Sequence, residues 1–198
     1  MPAFVKDIFW AGMSTTQRSE SMHAFFDGYI NSKTTLKQFV EQYDNALSKK
    51  VQLETEEDAC CFNVYIPCVT PYEFERQFQE AYTLAKFKEI QNEIAGKIHC
   101  NISSVNAGAD ISGFDVEEDV IVGENNILPL TFHVHFNELS REANCTCRLF
   151  EFRGILCKHI IVVYLKKKVY HILGKYILER WSKNMRRSHT KIKIMYDN

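Results

Sequence analysis

Between residues 145 and 159 the chain reads Cys145-Thr146-Cys147, nine further residues, then Cys157-Lys158-His159. Three thiols and one imidazole complete the tetrahedral shell of a zinc ion, and a four-ligand shell with no position for water is structural, not catalytic. The spacing also constrains the local fold. Side chains two apart on a strand share a face, so Cys145 and Cys147 are expected on one strand; two apart on a helix, they would diverge. Cys157 is then expected just before a helix and His159 in its first turn, with Ile160 to Lys168 running away from the metal. Phe150 and Phe152 alternate with Glu151 and Arg153 like a half-buried strand, and Gly154 supplies a turn. The expected module is strand, turn and helix on one structural Zn²⁺.

Composition narrows the alternatives. A chain of 198 residues can bury roughly 70% of its unfolded surface, enough for one domain or for a domain plus a small module. Seven cysteines are an odd number, and the start Met1-Pro-Ala-Phe-Val-Lys6 lacks a secretory apolar core, so the thiols read as reduced rather than as a disulfide framework. For the same reason Asn101-Ile-Ser103 and Asn144-Cys-Thr146 read as glycan acceptor patterns that meet no glycosylation machinery. No apolar run approaches the roughly 20 residues that span a bilayer. The net charge of −1 hides an asymmetry: from Lys166 to Lys193 there are ten Lys or Arg residues against one acid, Glu179, whereas Glu54, Glu56, Glu57 and Asp58 cluster earlier. The basic end is either a solvated helix face or a contact for nucleic acid or an acidic partner. Lys158, Lys166, Lys167, Lys168, Arg186 and Arg187 are the candidate phosphate contacts, and such contacts alone give salt-dependent, sequence-independent affinity.

Taken in order, the chain opens on a predicted helix capped by Thr15 or Thr16, with Met22, Phe25, Phe26 and Tyr29 on one face. Glu20 near its start fits a first-turn acid stabilised by the helix dipole. Glu20-Ser-Met-His23 copies the Glu-x-x-His spacing of di-iron bundles, but no second copy accompanies it. Thr35-x-x-Gln38 is a capping box, opening a helix striped with Leu36, Phe39, Val40, Tyr43 and Leu47 that is expected to end near Lys50. This helix and the first should form an antiparallel pair. Cys60, Cys61 and Cys68 fall in a stretch read as irregular up to Pro67, and they read as free thiols rather than ligands. Thr70-Pro71-Tyr72-Glu73 is a second capping box, predicting the longest helix of the chain, up to Ala95 with Gly96 at its end. From His99 the pattern turns extended, with strands over 111–122 and 130–136 joined across Gly123 to Asn126. Phe132, Val134 and Phe136 share one face of the second strand, and His133 and His135 share the other as surface residues. Tyr170 to Asn184 reads as helical, followed by a basic tail.

Cys-x-Cys-x9-Cys-x-His, with its flanks Arg148-Leu-Phe-Glu-Phe-Arg-Gly-Ile-Leu156, resembles the SWIM zinc finger of Mutator-like transposases and of the plant regulators derived from them, most closely the far-red-impaired-response family. Phe9-Trp10-Ala-Gly-Met-Ser-Thr-Thr-Gln-Arg18-Ser-Glu20-Ser21 resembles the end of the same family's transposase-derived domain. The resemblance implies an α+β chain. Residues 1–50 would be the carboxy-terminal remnant of a ribonuclease-H-like transposase domain and 51–110 a helical linker region. Strands and the SWIM finger would occupy 111–170, with its core at 145–159, and a helix and basic tail 171–198. Aligned this way, Glu20 matches the last of three carboxylates of a two-metal transposase site. Its two partners would lie upstream, so this chain reads as an amino-terminally truncated member and not as an enzyme. The resemblance further implies a nuclear zinc protein that regulates transcription in light signalling. Its partners would be DNA, other transcription regulators or homologous family members, with no membrane and no small-molecule substrate. A mobile-element transposase remnant and a protein-interaction-only zinc module are the alternatives.

Overall fold

The computed structural model describes Ala24, Phe25, Asp27 and Tyr29 and residues 34–123 and 126–185. The expected first helix, Glu20 and His23 with it, therefore lies outside the described residues, apart from Ala24, Phe25 and Asp27, which are helical. So do Arg186, Arg187 and the rest of the basic tail. One compact unit holds Ile66–Ser182, and another holds the first long helix.

That helix, α1, spans Leu36–Asn63. The capping box forms as expected: Thr35 N–H donates to Gln38 Oε1 at 3.1 Å and Gln38 N–H to Thr35 Oγ1 at 3.4 Å. Its end is not near Lys50. Residues 51–63 contain neither glycine nor proline, and good helix formers such as Gln52, Leu53, Glu54, Glu56 and Glu57 carry the helix thirteen residues further, through Cys60 and Cys61. Leu36, Phe39, Val40 and Tyr43 are exposed along it, while Ala46 is fully buried.

The helix expected from Pro71 to Ala95 is two helices, α2 (Glu73–Ala81) and α3 (Leu84–Gly96), and neither is the longest. Between them Tyr82 (φ −94°, ψ 154°) and Thr83 (φ −60°, ψ 155°) are extended. The reason lies far away in sequence. Tyr82 bridges to Ser182, Thr83 N–H donates to the Trp181 carbonyl, and the buried Tyr82 hydroxyl donates to Tyr176 O and accepts from Leu178 N–H. The second capping box, unlike the first, does not form, since Tyr72 precedes α2 without a side-chain cap. Instead Glu75, completely buried, accepts from the backbone N–H groups of Val69 and Thr70 at 2.8 Å each, from the Thr70 hydroxyl and from the Gln91 amide.

Four antiparallel strands follow, β1 (Cys100–Asn106), β2 (Ile111–Val122), β3 (Asn126–Asn137) and β4 (Ala143–Cys145), in the order β1-β2-β3-β4. The second keeps its predicted bounds. The third starts four residues early, because Pro129, opposite Asp119, lies where β4 no longer borders β3, and an open edge tolerates a residue without an N–H. The β1–β2 turn requires glycine at 108, where a Cβ would meet Ile111 O at 2.3 Å. Phe114, Val116, Val134 and Phe136 alternate onto the buried face, as the period of two dictates. Over that face lie helix α5 (Lys158–Lys166), which packs on β1, β3, β4 and α3, and the Phe74, Phe78, Phe87, Ile90 and Ile94 side chains of α2 and α3. Each such buried side chain contributes about 1.5–3 kcal/mol.

Past α5 there is no α-helix among the described residues; Gly174–Tyr176 and Glu179–Trp181 are single 3₁₀ turns. Distant side chains satisfy this backbone in place of helical bonds. Gln77 pairs both ways with Ile172 (N–H to Oε1, 2.7 Å; Nε2–H to O, 3.2 Å), and the Tyr176 hydroxyl donates to Ala143 O and accepts from Ala143 N–H, both at 2.8 Å.

Tyr176→Phe should therefore leave two buried backbone groups of β4 unpaired and cost about 2 kcal/mol, read as a lower denaturation midpoint at unchanged slope. Burial opposes charge on Glu75, but hydrogen bonds from Thr70, Gln91 and Val69 outweigh it and hold the carboxyl below its ordinary range. A depressed folded value means stability that is present above the unfolded pKa, about 4.3, and lost as pH falls through the folded one. Glu75→Gln is thus expected to cost about 2 kcal/mol at pH 7, with the gap to native protein narrowing below about pH 4 in denaturation series at stepped pH.

Candidate zinc centre

Cys145 ends β4, where it pairs with Val134, and its side chain is buried. The chain then leaves the sheet, so Cys147 sits in a turn and not on the expected strand; its N–H donates to Cys145 Sγ at 3.4 Å. Thr146 fastens the departure by exchanging two hydrogen bonds with the His133 backbone. Arg148, at φ 54°, bends the path, and its N–H donates to Cys145 O. The next element is a short helix, α4 (Leu149–Arg153), in place of the expected strand. Phe150 packs edge-on against Tyr176 (5.0 Å, 68°), and Gly154, at φ 68°, closes the helix, a conformation glycine adopts without penalty. Ile155 and Leu156 then plunge into the core. Cys157 takes the N-cap position of α5 and His159 its first turn, as the spacing predicts.

The result is a convergence of four donors. One ligand atom each from Cys145, Cys147, Cys157 and His159 lies within 4.8 Å of all the others, and His159 Nδ1 is 3.5 Å from Cys145 Sγ. Such a set fits an ion with bonds of about 2.3 Å to sulfur and about 2.0 Å to nitrogen. Cys145, Cys157 and His159 are buried and Cys147 partly so. Among the described residues no other group of three or more His, Cys, Asp or Glu side chains converges in this way.

The thiols perturb one another. Hydrogen bonding with Cys147 and then burial push the Cys145 thiol up to about 12; burial, then hydrogen bonds with the same two neighbours, raise Cys157. Hydrogen bonds from Cys145 and Cys157 favour the thiolate on Cys147. A metal arriving here displaces thiol protons.

Residues that the motif does not mention surround it. Glu118 of β2 accepts from His159 Nε2 at 2.9 Å and from the Lys158 ammonium, and Phe132 of β3 stacks on the imidazole with centroids 4.1 Å apart. Glu93 of α3 accepts the Lys158 backbone N–H at 3.0 Å, at the start of α5, and its own burial raises its pKa. One signal for Glu118 was available in the sequence, since it alternates with Val116 and Val120 and so falls on the core face of its strand.

The candidate phosphate contacts divide. The Lys158 ammonium pairs with Glu118, and that of Lys167 pairs with Glu138 and lies over the Phe114 and Phe136 rings at 5.5 and 5.6 Å. Lys166 and Lys168 are exposed, and Arg186 and Arg187 lie outside the described residues. His133 and His135 are at the surface as expected, although His133 Nδ1 has an acid partner, Asp115, at 2.5 Å. Cys68 is a partly buried free thiol whose pKa burial raises. No described helix is long and apolar enough to cross a membrane.

Residues 125–168 match the SWIM zinc finger family; together with the Cys145, Cys147, Cys157 and His159 cluster, this supports one structural zinc. Among proteins of Arabidopsis thaliana, the chain is 35% identical to Protein FAR1-RELATED SEQUENCE 5 over 95% of its own length and 23% of that protein's. It is 33% identical to Protein FAR-RED IMPAIRED RESPONSE 1 over 93% and 21% of the two lengths, and 34% identical to Protein FAR1-RELATED SEQUENCE 1 over 93% and 26%. It thus spans about a quarter of the length of these relatives. No solved structure matches the chain. Along nearly all of its sequence the chain is a homologue of the FAR1-related and far-red-impaired-response proteins, and it carries a SWIM zinc finger.

Proposed function

We propose that Cys145, Cys147, Cys157 and His159 are the four ligands of this zinc, and that the unit over Ile66–Ser182 is a metal-stabilised binding module of a nuclear transcription regulator of the far-red-impaired-response type. The observation that carries this reading is the closed donor set. Four protein ligands leave no coordination position for a water or substrate, which is the arrangement of a scaffold and not of a reaction centre. Zinc binding in comparable fingers is worth on the order of 10–16 kcal/mol, as much as the whole stability of a small domain. The module therefore works by presenting a surface, to DNA or to other regulators, homologous family members included. Residues 1–50, with Glu20, would in this reading belong to the carboxy-terminal end of a ribonuclease-H-like domain.

The engagement of Lys158 and Lys167 with acids of their own unit favours the protein-interaction version of this function. Of the six candidate phosphate contacts, Lys166 and Lys168 are the two described with exposed side chains, and Arg186 and Arg187 lie outside the described residues.

Purified reduced protein should carry one zinc per chain, and Cys157→Ser should abolish stoichiometric zinc and the cooperative melting of the unit; a zinc-free protein that melts like the native one contradicts the ligand assignment. Because thiols must lose protons to bind, calorimetry in buffers of different ionisation enthalpy should show proton release on zinc uptake, with affinity falling as pH is lowered from about 8 to about 6. Titrating zinc-loaded protein with duplex DNA at several salt concentrations separates the two surfaces. If DNA is the partner, Lys166→Ala and Lys168→Ala should each reduce the salt slope by about 1. No binding at low salt leaves protein partners.

A further inference from the structure

Glu118 is a carboxylate on the core face of β2, its side chain only 14% exposed, and a buried charge is costly unless its oxygens are satisfied. Each oxygen has its own partner. Oε1 takes the Lys158 ammonium, and Oε2 takes the hydrogen on His159 Nε2 at 2.9 Å. An ionised carboxylate can only accept, so the proton of that second bond belongs to the imidazole. A neutral imidazole with its proton on Nε2 keeps its lone pair on Nδ1, and Nδ1 is the atom that faces the sulfurs, 3.5 Å from Cys145 Sγ. The Phe132 ring, 4.1 Å away and tilted by 23°, fixes the imidazole plane. Lys158 balances the Glu118 charge, so the carboxylate adds no net repulsion beside three thiolates.

We infer that Glu118 is a positioning residue for the metal: by holding the Nε2 proton of His159 it commits that ring to bind zinc through Nδ1, and it ties the zinc module to the middle of the sheet. The inference rests on the zinc assignment above and adds to it the ligand atom, the tautomer and a residue 27 positions upstream of Cys145. Metal-bound histidines commonly have their second nitrogen held by such a carboxylate, and its loss typically weakens metal binding about 10–100-fold.

Two measurements test it. Long-range ¹H–¹⁵N spectra of the native zinc-loaded protein should show His159 protonated at Nε2 and metal-shifted at Nδ1; the reverse pattern overturns the inference. Zinc transfer to a chromophoric chelator should be at least about tenfold faster for Glu118→Ala than for native protein. It should be intermediate for Glu118→Gln, whose amide oxygen still accepts the Nε2 hydrogen. Lys158→Met removes the ion pair but leaves the imidazole bond, so it should stay within about twofold of native. A native rate in Glu118→Ala, or an equal acceleration in Lys158→Met, would mean that Glu118 serves only as a salt-bridge anchor and would overturn the proposal. Should Glu118→Ala not fold, the native spectrum still decides. Native protein that takes up no zinc would overturn the metal assignment first, a failure distinct from a zinc-loaded protein with the opposite tautomer.

Discussion

Three pieces of backbone converge on one cluster of metal donors: the end of a sheet strand, the turn that leaves it and the first turn of a helix. β4 is three residues long and α4 five, both too short to hold a position by their own hydrogen bonds. In the proposed assignment, bonds from three sulfurs and one nitrogen supply the missing restraint, and the apolar residues between Gly154 and Cys157 then have a fixed place to enter the core.

The core and the metal are mutually dependent. α5 begins at the proposed metal site with Cys157 and His159 and immediately buries Ile160, Ile161, Val163 and Tyr164. Glu93 on α3 accepts the first N–H of the same helix, one of the donors that a helix start leaves without an intrahelical partner. Tyr176 closes the other side, bonding both polar groups of Ala143 two residues before Cys145. Disturbance of either the sheet or the carboxy-terminal strap is therefore felt at the thiols.

The parts of this architecture legible in the sequence are those set by local chemistry. The Thr35 cap, the bounds of β2, the alternation of Phe132, Val134 and Phe136, and the N-cap place of Cys157 all come from residues within a few positions of each other. The misread parts are those decided at long range. Nothing near Tyr82 announces that its hydroxyl will bond residues 94 and 96 positions away, so the capping box at Thr70 and the stop at Gly96 read as the two ends of one helix. The alternation from Leu149 to Arg153 looks like a strand because the turn at Arg148, a non-glycine residue at positive φ, leaves no mark in composition. The tail past Tyr170 has helical periodicity, yet Gln77 and Tyr82 satisfy its backbone from the other end of the unit. Glu118 was hidden for a different reason: within Glu117-Glu118-Asp119 it looks like part of a solvated acidic run, and its role depends on which face of the strand each acid occupies.

As a site the cluster is closed, buried and tied on several sides, so the chemistry it favours is the maintenance of shape. X-ray absorption at the zinc K-edge of the purified protein tests that claim most directly. The expected shell is three sulfurs at about 2.3 Å and one nitrogen at about 2.0 Å, with no oxygen. A shell with an exchangeable water, or with fewer than three sulfurs, would contradict it and reopen the case for a reactive centre.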